Sequence, residues 1–306
     1  MSQEDATRTT RSDVTESDVI EAFEAQDYVA EDDIVTTVLL TLRMGKPLLV
    51  EGEPGAGKTE LAKVLAAEFG SELIRLQCYE GLTAEHALYE WNYTKQLLAA
   101  QTGEDPQTSV FDEEYLLERP LVRALQSDAE RPPVLLIDEI DRADDEFEAL
   151  LLEVLSDFQV SIPELGTVSA DRPPIVVITS NRTRALSDAL KRRCLYLHVE
   201  PPSFEKETDI LRRKVPELDR TVVAEVCRIA ARVREEPLRK PPGAAETIDW
   251  GRAIATLGGT DDGALSGETI RNTIGCLLKE AEDVERVDDD LLAELLDAAE
   301  GERAET

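Results

Sequence analysis

One glycine-rich segment restricts the fold more than any other feature of this chain, and it reads Gly52-Glu53-Pro54-Gly55-Ala56-Gly57-Lys58-Thr59. It fits the spacing G-x-x-x-x-G-K-[ST], with the apolar run Pro47–Val50 before it and a helix-like run beginning Glu60-Leu61-Ala62 after it. In this strand-to-helix setting, glycines let backbone N–H groups turn inward around an anion, and the helix N-terminus adds partial positive charge. The segment therefore predicts a phosphate-binding loop that opens an α/β domain.

The residues of this loop have separate predicted tasks. Lys58 is expected to reach the β- and γ-phosphates of a nucleotide, and Thr59 to hold Mg²⁺ through its hydroxyl. The predicted nucleotide-binding residues are Gly52, Glu53, Pro54, Gly55, Ala56, Gly57, Lys58, Thr59 and Glu60. A flexible turn rich in Gly and Pro is the alternative interpretation, which the flanking strand and helix disfavour.

Five short apolar runs predict the strands of a sheet: Pro47–Val50, Glu72–Cys78, Val134–Asp138, Pro174–Ser180 and Cys194–Glu200. The middle three show little alternation of apolar and polar residues, as expected of parallel strands that are covered on both faces. Helical segments lie between the runs, at Glu60–Phe69 and Asp144–Leu155. The predicted fold class is thus α/β, a doubly wound parallel sheet of the P-loop NTPase kind.

An inserted β-hairpin is predicted before the fourth strand. Phe158–Ile162 alternates apolar and polar residues, Pro163–Gly166 fits a tight turn, and Thr167–Ala170 returns. An irregular surface loop is the alternative for this segment.

After Pro201-Pro202 the strand signals stop, and the sequence predicts a small all-helical lid domain. Its helices are expected at Phe204–Val215, with Ser203 as the cap, and at Asp219–Arg234, Thr247–Leu257, Glu268–Asp283 and Asp289–Ala299. The predicted domains are residues 27–201 for the α/β part and 202–299 for the lid. Residues 1–26 are expected to form an acidic flexible arm or a loosely docked helix, and 300–306 an acidic tail.

Polar residues follow two of the predicted strands. Asp138 and Glu139 end the strand Val134–Asp138, at the sheet edge where a nucleotide binds. Asp138 can organise a Mg²⁺ shell, whereas an adjacent carboxylate at Glu139 favours hydrolysis, because it can polarise an attacking water. Asn181 follows the next strand and can hydrogen-bond a γ-phosphate or that water. Exposed carboxylates at a strand end, and a turn-forming Asn, are the alternatives.

A cluster of three cations, Lys191, Arg192 and Arg193, precedes the last predicted strand. Arginine can stabilise charge on a transferring phosphoryl group, and an arginine from a neighbouring subunit can contribute about 10³ to 10⁵ in rate. Compensation of a helix dipole by cations at its C-terminus is the other explanation. The charge of the cluster alone does not decide between these two explanations.

The charge balance disfavours nucleic acid as a partner. The chain has 65 acidic and 33 basic residues and a formal net charge of −32, so its surface repels phosphates. Because the acid is spread along the chain, the composition resembles adaptation to a salt-rich cytosol, as in halophilic archaea. No run approaches the ~18 apolar residues of a membrane span, and the start lacks a signal-peptide pattern, so we expect a cytoplasmic protein.

Taken together, these motifs resemble an AAA+ ATPase, and the resemblance narrows to the MoxR family. The narrower resemblance is carried by the segment Leu76–Gly81, the run Glu90-Trp91-Asn92-Tyr93, the inserted hairpin before Asn181 and the stretch Leu186–Cys194. Within that family, the sequence is similar to the subgroup found beside carbon-monoxide-dehydrogenase-like molybdoenzymes. The resemblance covers roughly Asp27 to Asp283.

The resemblance implies roles for individual residues. Lys58 and Thr59 would bind phosphate and Mg²⁺, Asp138 would hold Mg²⁺, and Glu139 would activate water. Asn181 would be the first sensor, and either Arg192 or Arg193 would be the finger inserted into the next subunit's site. Arg252 would be the second sensor, although Gly251 stands where the family commonly has proline.

The resemblance also implies partners and a task. By this resemblance, the protein would form a homo-oligomeric ring, commonly a hexamer in the family. It would work with a protein that carries a von Willebrand factor A domain. ATP and Mg²⁺ would drive the remodelling or maturation of a client complex, including metal or cofactor insertion. An AAA+ nucleic-acid motor or clamp loader is the competing class. A GTP-dependent switch fits less well because Asn181-Arg182-Thr183-Arg184 does not match N-K-x-D, and the pair Asp138-Glu139 disfavours a small-molecule kinase.

Overall fold

The computed structural model describes residues 14–92, 116–127, 129–162, 166–258 and 264–301. They form two compact units. The first comprises the described residues within 1–26, 30–52 and 58–198, and the second those within 27–29, 53–57 and 199–306. Within these described ranges, no helix is both long and apolar enough to cross a membrane.

The first unit is an α/β structure. Its helices are α1 (Glu16–Ala25), α2 (Asp32–Met44), α3 (Lys58–Glu68), α4 (Ala84–Ala87), α5 (Pro120–Leu125), α6 (Asp145–Asp157) and α7 (Asp188–Arg193). Its strands are β1 (Leu48–Gly52), β2 (Leu73–Gln77), β3 (Tyr89–Trp91), β4 (Leu116–Glu118), β5 (Val134–Asp138), β6 (Gln159–Ile162), β7 (Gly166–Ser169), β8 (Ile175–Ser180) and β9 (Leu195–Val199).

The main sheet has five strands in the order β2-β5-β8-β1-β9. The pairs β2–β5, β5–β8 and β8–β1 are parallel. Every residue of β1, β5 and β8 is buried, because these central strands are covered on both faces. The predicted parallel α/β sheet is therefore confirmed, with the glycine-rich segment directly after the interior strand β1.

The outer strands correct one detail of the prediction. The run Glu72–Cys78 was expected to be buried on both faces, but in β2 burial alternates, with Arg75 exposed between the buried Ile74 and Leu76. β2 lies at an edge of the sheet, where one face meets solvent. Position in the sheet, which a single run cannot reveal, sets this difference.

The inserted hairpin is also confirmed. β6 and β7 pair antiparallel with Val160 opposite Val168, and the inward residues Val160 and Ile162 join the core of this unit. The predicted turn residues 163–165 lie outside the described residues. A second antiparallel pair, β3–β4, contains Glu90 and Trp91 of the run Glu90–Tyr93, whereas Tyr93 is not among the described residues.

The N-terminal segment contains a packed helix. Thr15 caps α1 by accepting from the Asp18 N–H, and the Asp18 carboxylate accepts in return from the Thr15 N–H. Val19, Ala22 and Phe23 of this helix are buried. Of the two alternatives for residues 1–26, a flexible arm or a docked helix, residues 16–25 adopt the helix.

The second unit is helical in the part that the structure describes. Its helices are α8 (Phe204–Lys214), α9 (Arg220–Arg234), α10 (Ala244–Leu257), α11 (Gly267–Leu277), α12 (Ala281–Glu285) and α13 (Asp289–Glu300). Ser203 caps α8 as predicted, accepting from the Lys206 N–H. Trp250 is fully buried in the core of this unit, and its Nε1–H donates to Thr273 Oγ1 at 2.7 Å.

Two of the predicted helices of this unit differ from the structure by more than one residue. α10 begins three residues early because Glu246 accepts from the N–H of the cap residue Gly243 at 3.0 Å. The helix expected over Glu268–Asp283 is two helices, α11 and α12, separated where Leu278 turns to an extended conformation and stays buried. The break brings the buried Asp283 carboxylate to the N–H groups of Arg239 and Lys240.

Candidate functional site

The loop after β1 has the backbone that its glycines permit. Gly55 and Gly57 have φ values of +82° and +89°, in the left-handed region that side chains rarely adopt. The Ala56 N–H donates to the Glu53 carbonyl at 3.3 Å, which closes a turn ahead of α3. Helix α3 then begins at Lys58, so the N–H groups of its first turn lie at the end of this loop.

The Lys58 side chain is buried beside the loop. Its ammonium donates to the Gly52 carbonyl at 2.9 Å, so the positive charge lies next to the last residue of β1. Glu60, in the first turn of α3, forms an exposed ion pair with Lys63 at 3.0 Å. A buried lysine at the end of a glycine-rich loop is the arrangement expected of a phosphate ligand.

The structure brings together the two residues predicted to hold a metal. Thr59 Oγ1 lies 3.1 Å from Asp138 Oδ1, although the residues are far apart in sequence. A third residue, Thr179 of β8, donates its hydroxyl to the same oxygen at 2.5 Å. The Asp138 side chain is almost fully buried, so these hydroxyls replace water around its carboxylate.

Glu139 begins the turn after β5 in the left-handed region, with φ +57° and ψ +50°. Its N–H donates to Thr179 Oγ1 at 2.9 Å, which helps to hold this uncommon conformation. Its Oε2 accepts from Gln77 Nε2 at 3.1 Å and lies 2.9 Å from Arg142 Nε. Its Oε1 lies 3.4 Å from the Asn181 amide nitrogen, so the two predicted residues are neighbours.

The loop that carries Asn181 is fixed by Asp141, which the sequence analysis did not single out. The Asp141 carboxylate accepts from the Asn181 N–H at 3.0 Å and from the N–H and hydroxyl of Thr183 at 2.9 and 2.5 Å. Burial alone raises the pKa of Asp141, but the hydrogen bonds from Thr183 and Asn181 outweigh it, so the pKa is lowered.

We therefore expect Asp141→Asn to destabilise the protein by roughly 2 kcal/mol at pH 7, since an amide cannot accept from donors on both sides. A lowered folded-state pKa adds stability above the unfolded value of about 3.9, and this is lost as pH falls through the folded pKa. The difference from wild type should thus be constant near neutrality and shrink in acid. Denaturant unfolding across this pH range measures it.

Asp145→Asn is the matched control, because the side chain of Asp145 is 95% exposed and forms a surface ion pair with Arg184. It should change the free energy of unfolding by less than about 0.5 kcal/mol. If Asp141→Asn is as stable as this control at pH 7, Asp141 does not stabilise the loop that carries Asn181.

The two arginines of the basic cluster lie in the last turn of α7, and both are exposed. Arg193 donates to Ser156 Oγ at 3.0 Å and to the Ala189 carbonyl at 3.4 Å. Arg192 makes no hydrogen bond or ion pair with the residues that the structure describes. In the second unit, Arg252 is exposed on α10 and lies 3.4 Å from Asp249. The structure places neither arginine of α7 against Lys58, Asp138 or Glu139 of its own unit.

The sequence analysis did not predict several residues of the site, because only the order of the strands brings them to it. Thr179 and Asp141 stand beside predicted residues, yet nothing in a linear reading marks them as partners of Asp138 and Asn181. Gln77 lies directly opposite Asp138 in the β2–β5 register, and Arg75 of the same strand contacts Asp138. Polar residues that alternate along an edge strand are the one signal that could have identified this pair.

The donors present fit a nucleotide with Mg²⁺. Mg²⁺ prefers oxygen ligands and is commonly held by one carboxylate together with phosphate oxygens, and Thr59 and Asp138 supply a hydroxyl and a carboxylate. The buried ammonium of Lys58 and the loop N–H groups suit the phosphates.

Comparisons with known proteins agree with this class of site. Residues 47–194 match the family model of the AAA domain, dynein-related subfamily. Lys58, Asp138 and Glu139 all lie within the matched segment.

Similar proteins come from distant organisms. The chain is 28% identical over 197 residues to the uncharacterized protein YehL of Escherichia coli, a match that covers 61% of this chain and 51% of that protein. It is 27% identical over 175 residues to the ATPase family gene 2 protein homolog B of Bos taurus, covering 56% of this chain and 18% of that protein. The match to YehL thus spans about half the length of that relative.

Two solved structures of RuvB variants from Thermotoga maritima are also similar. Their identities are 18% and 20%, with TM-scores of 0.48 and 0.49. The alignments cover 81% and 84% of this chain and 69% and 72% of the solved chains.

Proposed function

We propose that this protein is an ATP-hydrolysing AAA+ protein that remodels or matures a partner complex. The observation that carries the proposal is the convergence of Thr59, Asp138, Glu139 and Asn181 where β5 and β8 end, next to the loop that holds Lys58. The Asp138 carboxylate, which contacts the Thr59 and Thr179 hydroxyls, suits a metal. The adjacent Glu139 carboxylate has other partners, Gln77 and Asn181. Separate carboxylates are what hydrolysis requires, since one positions the nucleotide and the other activates water.

The residues divide the work of hydrolysis. The loop N–H groups and Lys58 would bind the phosphates, and Thr59 and Asp138 would hold Mg²⁺. Bound Mg²⁺ would neutralise charge on the phosphate oxygens. Gln77 and Arg142 both contact Oε2 of Glu139, whereas among the described residues Oε1 has only the longer contact to Asn181. Oε1 is therefore the oxygen placed to take the proton of the attacking water. Asn181 can then orient the water by its amide.

The finer assignments rest on the resemblance to the MoxR family. We propose a homo-oligomeric ring, commonly hexameric in that family, in which Arg192 or Arg193 of one subunit reaches the site of the next. Their exposure at the end of α7 supports this role. Arg252 is proposed as the second sensor of the lid, with domains at residues 27–201 and 202–299. The proposed partners are a von Willebrand factor A domain protein and a client complex in a salt-rich cytosol.

A nucleic-acid motor or clamp loader is the second candidate, because it would share the same ATPase core. The charge of −32 disfavours it, since phosphate backbones are bound through Lys and Arg. Remodelling of a protein partner is therefore the function that we propose.

A trapping experiment tests this function. Glu139→Gln should bind ATP without hydrolysing it and so retain its partner in a pull-down with ATP and Mg²⁺ in high salt. Lys58→Ala, which lacks the phosphate ligand, is the matched control and should retain little. Proteins captured equally by both variants, or capture of nucleic acid in place of a protein, would contradict the proposal.

A further inference from the structure

Arg75 contacts the carboxylate of Asp138 from the side opposite to Thr59. Its Nε and Nη2 lie 3.0 and 2.5 Å from Asp138 Oδ2, whereas Thr59 and Thr179 contact Oδ1. The two oxygens of this carboxylate therefore have different neighbours. Hydroxyls meet the oxygen next to the phosphate-binding loop, and a full positive charge meets the other.

The guanidinium is held in place from a second direction. Arg75 Nη2 also donates to Gln77 Oε1 at 2.5 Å, two residues along the same strand. The Arg75 side chain is 53% exposed, and an exposed arginine is ordinarily a weak and mobile partner. Here the Asp138 side chain is only 4% exposed, and Gln77 also accepts from Arg75 Nη2. The guanidinium is therefore held in one orientation against Asp138.

The charge of Arg75 matters because acids crowd this end of the sheet. Asp138, Glu139 and Asp141 all act, after burial itself, to raise the pKa of the buried Cys78 thiol to about 12. Arg142 pairs with Glu139, and Arg75 pairs with Asp138. A fixed cation beside one carboxylate oxygen weakens the attraction of that carboxylate for a second cation.

We propose that Arg75 is a positioning residue that sets the affinity of this site for Mg²⁺. It serves as a built-in counter-charge to Asp138, so the metal-free site is stable and the metal is bound only moderately. This rests on the proposed function, in which Asp138 and Thr59 hold Mg²⁺ beside the nucleotide.

Two opposite effects of Arg75→Gln follow from this role. Loss of the counter-charge leaves Asp138 buried without its cation, so the ligand-free protein should melt several degrees lower. The same loss should strengthen Mg²⁺ binding about tenfold, which corresponds to about 1.4 kcal/mol. A merely structural role would lower the melting temperature without tightening the metal.

The experiment titrates Mg²⁺ into protein that is saturated with ADP, and the melting temperature is followed at each concentration. Arg75→Gln should reach half of its Mg²⁺-dependent shift at about one-tenth of the wild-type concentration. Arg123→Gln is the matched control, because Arg123 pairs with Glu72 at the surface, and it should follow wild type. Arg75→Lys keeps the charge and should stay within about threefold of wild type.

An unchanged or higher Mg²⁺ requirement in Arg75→Gln would overturn the inference. If that variant does not fold, Arg75→Lys decides, since a shift of tenfold or more in either direction would show that charge is not the relevant property. Failure of ADP and Mg²⁺ to raise the melting temperature of the wild-type protein would instead overturn the proposed function, so the two failures are distinguishable.

Discussion

Replacement of Glu139 by Gln is expected to lower the steady-state rate of ATP hydrolysis by about 10³, within the range typical of general acid–base catalysis. The amide fills the same space but cannot accept the proton of the attacking water. ATP binding should stay within about threefold of wild type, because Lys58, Thr59 and Asp138 are unchanged. Phosphate release measures the rate, and a fluorescent ATP analogue measures binding.

Glu146→Gln is the matched control for this change, because Glu146 is an exposed carboxylate in the first turn of α6. It should hydrolyse ATP at close to the wild-type rate. Normal hydrolysis by Glu139→Gln would show that another group activates the water and would remove Glu139 from the mechanism.

Replacement of both Arg192 and Arg193 by Ala is expected to lower hydrolysis by at least about 10³, within the range of an arginine supplied in trans. Charge that develops on the transferring phosphoryl group would then lose its cation. Nucleotide binding to isolated subunits should be unaffected, because neither arginine lies against the loop residues of its own unit. Wild-type activity per subunit should also rise with protein concentration, as subunits assemble.

Lys191→Ala is the control for a general loss of charge from α7, since Lys191 lies in the same last turn. It should keep most of the activity. The single variants assign the role, because the one with the larger loss identifies the finger. A double variant that hydrolyses ATP normally would contradict an arginine finger in this helix.

Much of the fold could be predicted because the local signals are strong. The buried strands β5 and β8 carry continuous apolar runs, and Ser203 precedes α8 with the cap chemistry that starts a helix. The glycines of the loop predict its backbone conformation, since Gly55 and Gly57 adopt the positive φ values that other residues avoid. These features depend on neighbours in sequence.

The remaining features depend on which strands become neighbours in space. Asp138 meets Arg75 because β2 pairs with β5, and it meets Thr179 because β5 pairs with β8. Neither pairing is visible in a linear reading, so Arg75 was missed and β2 was wrongly expected to be buried on both faces. The end of α11 was missed for a similar reason, since its break serves the long-range contacts of Asp283.

We propose that this protein hydrolyses ATP at a site completed by the neighbouring subunit. Mixing Glu139→Gln with the double variant Arg192→Ala, Arg193→Ala tests for this shared site, because each protein supplies the residue that the other lacks. Neither should hydrolyse ATP alone, and the mixture should regain activity that rises and then falls as the ratio of the two is varied. A mixture as inactive as its components at every ratio would contradict the claim.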